Sequence, residues 1–256
     1  MVHHNIHGAA VISLQGRKIV IVGGGSGIGW AAAELAASLG AIVTVADIDP
    51  ASSERVSLLG PQAAFARCDA IRPEQVSRMF AQIVERCGGL DGLLVTVGGA
   101  HLGPLATLDL SAWDAELTFN LTSVYVVCRA VLPYLERAGG GSIVTTSSGY
   151  AVLGGPDRAG YTAAKAGVIA FTRSLAAAAA PHNIRANCIA PGPTDTPRFR
   201  AMNGGDVGVE RVRQAIPLGK IPRPVDCANV AIFLLSDAAS QVTGQVIHVN
   251  GGLIMP

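Results

Sequence analysis

The chain has 256 residues, half of them hydrophobic and 14% charged. That length suits one large domain with a real core, is short for two, and is too apolar for disorder. With 19 Lys and Arg against 18 Asp and Glu the formal net charge is +1, so no charge excess is available to hold nucleic acid or an anionic membrane.

Residues 1–13 are expected to form a disordered extension, with 14–256 folding as one domain. The first fourteen residues lack a basic stretch leading into an apolar one, so no secretion signal is expected. Residues 18–22 (KIVIV) read as a strand buried on both faces. Residues 27–39 read as a helix ended by Gly40. A strand at 41–46, a helix at 52–59 and a short strand at 63–67 follow. Pro73 opens a helix running to about Arg86, its ring tolerated in the first turn. Residues 90–97 form the next strand. Residues 113–136 read as a long helix whose interior Pro133 should kink or end it. Then come a strand at 142–146, a helix at 161–180 and a strand at 185–190. Residues 198–217 contain Asn203-Gly204-Gly205, a glycine pair suited to a small substrate lid. A helix around 226–235 and a strand around 246–249 close the chain.

Strands alternating with helices imply an α/β domain with a mostly parallel sheet of about seven strands. An open doubly wound sheet and a closed (β/α)8 barrel both fit the alternation. The glycine-rich turn after the first strand favours the open, Rossmann-like sheet flanked by helices. The longest uncharged stretches, such as residues 138–156, are broken by Gly, Ser and Pro and do not read as membrane spans. The five cysteines, Cys68, Cys87, Cys128, Cys188 and Cys227, are odd in number and form no C-x-x-C. Free thiols in a reducing cytoplasm are expected, with no structural metal.

Gly23, Gly24, Gly25, Ser26, Gly27, Ile28 and Gly29 link the first strand to the first helix. Glycine there permits a tight turn and lets a diphosphate approach the backbone. The helix N-terminus then presents free N–H groups and a partial positive charge. Asp47 ends the second strand, roughly twenty residues on, where an acid can accept hydrogen bonds from the adenosine ribose hydroxyls. It would repel a 2′-phosphate, so NAD is favoured over NADP. The competing reading is that Asp47 only begins a turn with Asp49-Pro50. Asp69, with Ala70 beside it, follows the third strand and is a candidate for the adenine edge.

Tyr161 and Lys165 stand four apart on one helix face. Ser148 follows the strand that ends at Thr146, and strand ends and helix starts meet along the ligand edge of a parallel sheet. A phenol has a pKa of about 10, and a nearby ammonium is expected to lower it. Tyr161 is then able to exchange a proton with an alcohol or carbonyl whose oxygen Ser148 holds.

With these residues the chain resembles the short-chain dehydrogenase/reductase family, in the subtype whose chains are about this long. The resemblance spans Leu14 to Gly252. It rests on Gly23-x-x-x-Gly27-x-Gly29, Asp69, Ser148, Tyr161-x-x-x-Lys165, Pro191-Gly192 with Thr194 and Thr196, and Thr243-Gly244-Gln245 with Gly251-Gly252. It implies Tyr161 as the acid in carbonyl reduction and the base in alcohol oxidation. Lys165 would hold the nicotinamide ribose and Ser148 would orient the substrate. Asn120 matches the position that keeps a water on the proton relay. Thr194 and Thr196 would contact the carboxamide region, and Gly98 would border the cofactor. The resemblance also implies a homotetramer. Two positions depart from the family pattern: Val22 stands where Thr is usual, and Val95-Thr96-Val97-Gly98 stands in place of Asn-Asn-Ala-Gly. Packing of Val22 against Val95 or Val97 is expected to replace a polar contact between the two strand ends.

The expected function is hydride transfer between NAD(H) and a small-molecule secondary alcohol or ketone. Tyr150, Leu153, Phe199, Met202 and His101 are candidate pocket residues, each more readily read as an ordinary loop anchor or core filler. Two alternatives stand beside this: an NADP-dependent 3-oxoacyl thioester reductase, and a non-catalytic dinucleotide-binding sensor or scaffold. A methyltransferase shares the glycine turn but gives no reason for the Tyr–Lys pair.

Overall fold

The computed structural model describes residues 12–256. Most of the expected N-terminal extension therefore lies outside the described residues. Of its last two positions, Ile12 packs against the core.

The elements in chain order are β1 (Lys18–Val22), α1 (Gly27–Ser38), β2 (Ile42–Asp47), α2 (Ser52–Val56), β3 (Ala64–Arg67), α3 (Pro73–Cys87) and β4 (Gly92–Val95). There follow α4 (Leu110–Leu117), α5 (Ser123–Arg137), β5 (Gly141–Thr146), α6 (Tyr150–Leu153), α7 (Ala159–Ala179) and β6 (Ile184–Pro191). The chain closes with α8 (Pro197–Met202), α9 (Asp206–Ala215), α10 (Pro224–Leu235) and β7 (Val246–Val249). The seven strands lie in the order β3-β2-β1-β4-β5-β6-β7, and every pairing is parallel. β3 and β7 stay unjoined, so the sheet is open and not a barrel. The chain winds outward from β1 to β3, returns to β4, and winds outward the other way. Its direction reverses between β1 and β4, where the strands' C-terminal ends leave a crevice.

Period-two alternation sends side chains to two core layers. Val20, Val22, Leu93 and Val95 face the layer covered by α3, α5 and α7. Ile19, Ile21 and Leu94 face the layer covered by α1 and α10. The small residues Ala32, Ala33 and Ala36 of α1 let α10 pack close, through Ala228, Ala231 and Ile232.

Three differences from the sequence reading bear on the site. The predicted helix over 113–136 begins at Leu110 and runs through Pro133 to Arg137. Pro133 is exposed, so the carbonyl it deprives of a partner can turn to water. The interruption comes earlier, as a widened π-turn at Thr118–Thr122 that separates α4 from α5. The predicted strand over 90–97 shortens to Gly92–Val95, and Thr96 and Gly98 beyond it border the crevice. The expected lid contains two short helices, α8 and α9, with Gly204 and Gly205 at positive φ between them.

The run Leu110–Arg137 is long and apolar enough to cross a membrane. Its Val124, Val127, Cys128, Val131 and Leu135 are buried in the core. All five thiols are free, and burial pushes that of Cys128 up to about 12.

Candidate active site

The glycine turn is built for close approach. Ser26 is the N-cap of α1, and its side chain makes no capping bond. The first N–H groups of α1 thus face the crevice. Gly23 has φ +81°, and a Cβ there would lie 2.9 Å from the Val97 nitrogen. A Cβ on Gly29 would lie 2.4 Å from the Gly23 carbonyl oxygen and 2.6 Å from Thr96 Oγ1.

Thr96 resolves the departure from the family pattern. Val22 and Val95 are register partners in one core cluster, as expected. The polar link is not lost, however, because it has moved to Thr96. Its hydroxyl donates toward the carbonyls of Gly23 (2.8 Å) and Val22 (3.2 Å), and its N–H donates to Val22 (2.9 Å). Thr96→Val is therefore expected to lower the free energy of unfolding by about 1–2 kcal/mol, with Thr96→Ser near wild type. Urea titration checks this, and a Val variant as stable as wild type removes the latch.

Asp47 also fastens the turn. Its Oδ2 accepts from the Gly25 N–H (2.8 Å) and its Oδ1 from the Asp49 N–H (3.1 Å). The turn-forming reading and the ribose reading thus fall on the same carboxylate. Asp69 Oδ1 accepts from the Ile71 N–H (3.2 Å), and the Ala70 side chain is buried in the core. Asp47, Asp69 and Ala70 lie at the ends of β2 and β3, outside the residues that line the main cleft.

That cleft has a volume of about 820 Å³. Gly23, Ser26, Gly27, Ile28, Gly29 and Gly98 form one wall; Pro191, Gly192, Thr194 and Thr196 form another. Thr196 also accepts from the Phe199 N–H (3.1 Å) and so caps α8. Ser148, Tyr161 and Lys165 meet on the same cleft, together with Tyr150, Leu153, Phe199 and Met202. His101 does not line it. It borders a separate cavity of about 410 Å³ with Glu116. No cluster with metal-ligand character occurs among the described residues.

α7 carries Tyr161 and Lys165 one turn apart, and Ser147 ties α7 to β5 by donating to the Lys165 carbonyl (2.7 Å). Lys165 Nζ donates to the carbonyls of Thr146 (2.9 Å) and Val97 (3.4 Å) and lies 5.9 Å from the Tyr161 ring centre. The π-turn aims Asn120, wholly buried, at the β4 loop. Its Oδ1 accepts from the Gly99 N–H (2.8 Å), and its Nδ2 donates to Glu116 Oε2 (2.8 Å). A Cβ on Gly98 would lie 2.7 Å from both Asn120 Oδ1 and Lys165 Nζ, so glycine lets these two groups approach.

The electrostatics correct one expectation. Burial raises the Tyr161 pKa; the Ser148 hydroxyl and the Arg198 and Arg158 charges oppose it without reversing it. Lys165 does not supply the expected lowering. Its ammonium is turned to two carbonyls, and burial pulls its own pKa to about 8.

Sequence reasoning missed Thr96, Glu116 and the arginines. Glu116 is 5% exposed and accepts from both the N–H and Nδ1 of His101 (2.8 and 2.9 Å) as well as from Asn120. Its spacing of one helical turn before Asn120 is the signal that could have found it.

Residues 23–254 match the family described as enoyl-(acyl carrier protein) reductase. The 2,5-dichloro-2,5-cyclohexadiene-1,4-diol dehydrogenase of Sphingobium indicum is 39% identical over 243 residues, covering 93% of this chain and 97% of that protein. The 3-oxoacyl-(acyl-carrier-protein) reductase of Chlamydia pneumoniae is 35% identical over 246 residues, covering 94% and 98%. Among solved structures, a short-chain type dehydrogenase/reductase from Mycobacterium ulcerans superposes with a TM-score of 0.90 at 30% identity, covering 94% of this chain and 90% of that one.

Proposed function

The chain belongs to the short-chain dehydrogenase/reductase family of oxidoreductases, and on that premise we propose that it oxidises a secondary alcohol, or reduces the matching ketone, with NAD(H). The observation that carries this is the meeting of Ser148, Tyr161 and Lys165 on one cleft beside the glycine turn. A nicotinamide cofactor, when bound, supplies the hydride exchange. The residues present suit it. Gly23, Gly27, Gly29 and Gly98 line the cleft without side chains, and the N-terminus of α1 offers uncapped N–H groups to a diphosphate. Asp47 would hold the adenosine ribose, with Asp69 and Ala70 at the adenine side. Thr194 and Thr196 would face the carboxamide.

The chain's own groups then do the proton chemistry. Ser148 holds the substrate oxygen, and the Tyr161 hydroxyl gives up or takes the proton there. Lys165 orients the ribose, and Asn120 fixes the loop around Gly98 and Gly99. α8 and α9 act as the lid. A panel of ring-borne and open-chain secondary alcohols with NAD, followed by the absorbance of reduced nicotinamide, tests the reading. Turnover of at least one alcohol is expected; silence across the panel, with the cofactor bound, would leave the sensor or scaffold reading.

The acyl-carrier reductase relative and the family description favour a second reading, an NADP-dependent 3-oxoacyl thioester reductase. Asp47 separates the two. Calorimetric titration is expected to give at least about tenfold tighter binding of NAD than of NADP, the size of one charge clash. Asp47→Ala is expected to narrow that gap, whereas a wild-type preference for NADP removes Asp47 from its role. We extend the reading to a cytoplasmic homotetramer; the assembly is supported by Phe119 and Tyr125, large side chains exposed on the α4–α5 run. Light scattering checks the assembly.

A further inference from the structure

We propose that the substrate carries a carboxylate and that Arg198 receives it, an inference that names the substrate class of the site above and rests on that dehydrogenase reading. Four cationic side chains line the cleft, Arg158, Lys165, Arg198 and Arg211, and no Asp or Glu lines it. Two of the four are already engaged. Lys165 is held by the Thr146 and Val97 carbonyls. Arg158 donates to Asp157 through Nε (2.8 Å) and Nη2 (3.2 Å) and lies 4.0 Å from the Tyr150 ring centre.

Arg198 is different. Among the described residues it has no carboxylate within ion-pair distance, and its one hydrogen bond runs from Nη2 to the Ala100 carbonyl (2.7 Å). A guanidinium offers five N–H donors in a planar fork, so most of this fork is open. The backbone makes room for it, since a Cβ on Gly99 would lie 2.1 Å from Arg198 Nη1. Such a fork matches a carboxylate bidentately, with both charges reinforcing the bonds. Arg198 and Tyr161 line the same cleft. A carboxylate on Arg198 and a carbinol on Tyr161 therefore belong to one molecule, whose carbon frame lies along Leu153, Phe199, Met202 and Ile254. Arg211, on α9 and likewise without an acid partner among the described residues, adds attraction at longer range.

An oxyanion on this fork has two sources, the substrate's carboxylate or the cofactor's diphosphate, and binding separates them. The protein saturated with NADH is titrated calorimetrically with cyclohexanecarboxylate and with cyclohexanecarboxamide, neither of which has a hydroxyl to react. The carboxylate is expected to bind at least about tenfold tighter, with the preference shrinking as salt rises. Arg198→Met is expected to erase the preference, and Arg198→Lys to keep part of it, because it retains charge without the fork. Equal binding of acid and amide, or no heat from the acid, overturns the proposal. So does an Arg198→Met protein that loses NADH affinity while keeping the acid–amide difference, since the anion is then the cofactor's. In parallel, kcat/KM is compared for hydroxy acids and their methyl esters. An acid preference that falls in Arg198→Met supports the proposal, and acids turned over no better than their esters overturn it. Binding preference without any turnover leaves the anion site standing and overturns the dehydrogenase reading instead.

Discussion

Tyr161→Phe is expected to lower kcat by about 10²–10⁴-fold, the usual worth of a positioned proton donor, while the protein melts close to the wild-type temperature. Phe keeps the ring and its packing and removes only the hydroxyl that meets Ser148 in the cleft. Burial holds the Tyr161 pKa above its ordinary value. At neutral pH the phenol therefore carries its proton, the form needed to donate to a ketone. Oxidation needs the phenolate. The oxidative kcat/KM is thus expected to climb on the alkaline side, and the reductive one to fall as the phenol titrates. Steady-state rates in both directions check this. Equal turnover by Phe and Tyr proteins, or a flat oxidative profile into alkaline pH, removes Tyr161 as the proton-handling group.

Lys165→Met is expected to separate activity from stability. The folded chain pulls the Lys165 pKa from 10.5 to about 8 by desolvation. A depressed folded pKa means the stability contribution of the neutral amine is complete above 10.5 and is lost as pH falls through 8. Below that the fold carries a buried ammonium at a cost of about 3 kcal/mol. Methionine carries no such charge. The stability of the variant minus that of wild type should therefore rise by about 3 kcal/mol between strongly alkaline and neutral pH. The carbonyls of Thr146 and Val97 lose their donor in the variant at every pH, which shifts both ends of the comparison equally and leaves the slope. Urea unfolding at the two pH values reads it, and turnover is expected to fall in the same protein. A difference that does not change with pH would mean that burial does not lower the Lys165 pKa in the way described.

The sheet was legible because continuous apolar runs such as KIVIV, buried on both faces, alternate with helical runs. Ser148, Tyr161 and Lys165 were legible because strand ends and helix starts share one edge. Other features depend on contacts distant in sequence. The π-turn around Asn120 answers to the β4 loop, which Asn120 meets at Gly99, and nothing in Phe119-Asn120-Leu121 announces it. Pro133 misled because helix termination by proline depends on whether the orphaned carbonyl is buried, which composition does not say. The phenol's pKa was read from one cation four residues away, but desolvation, set by the whole cleft, is larger. The open fork of Arg198 depends on which acids come within ion-pair distance in space, and among the described residues none does.

The Thr96 hydroxyl that closes on Val22 and Gly23 stands directly after β4, which follows β1, β2 and β3 in the chain. During synthesis those three strands and their helices leave the ribosome first, while their central strand still has one naked edge. The dinucleotide turn hangs unlatched on that edge until β4 arrives. A nascent chain stalled before Thr96 should therefore expose a sticky strand and hold no nucleotide. Ligand capture and protection of that edge should appear together, as a single event, once β4 has cleared the exit tunnel.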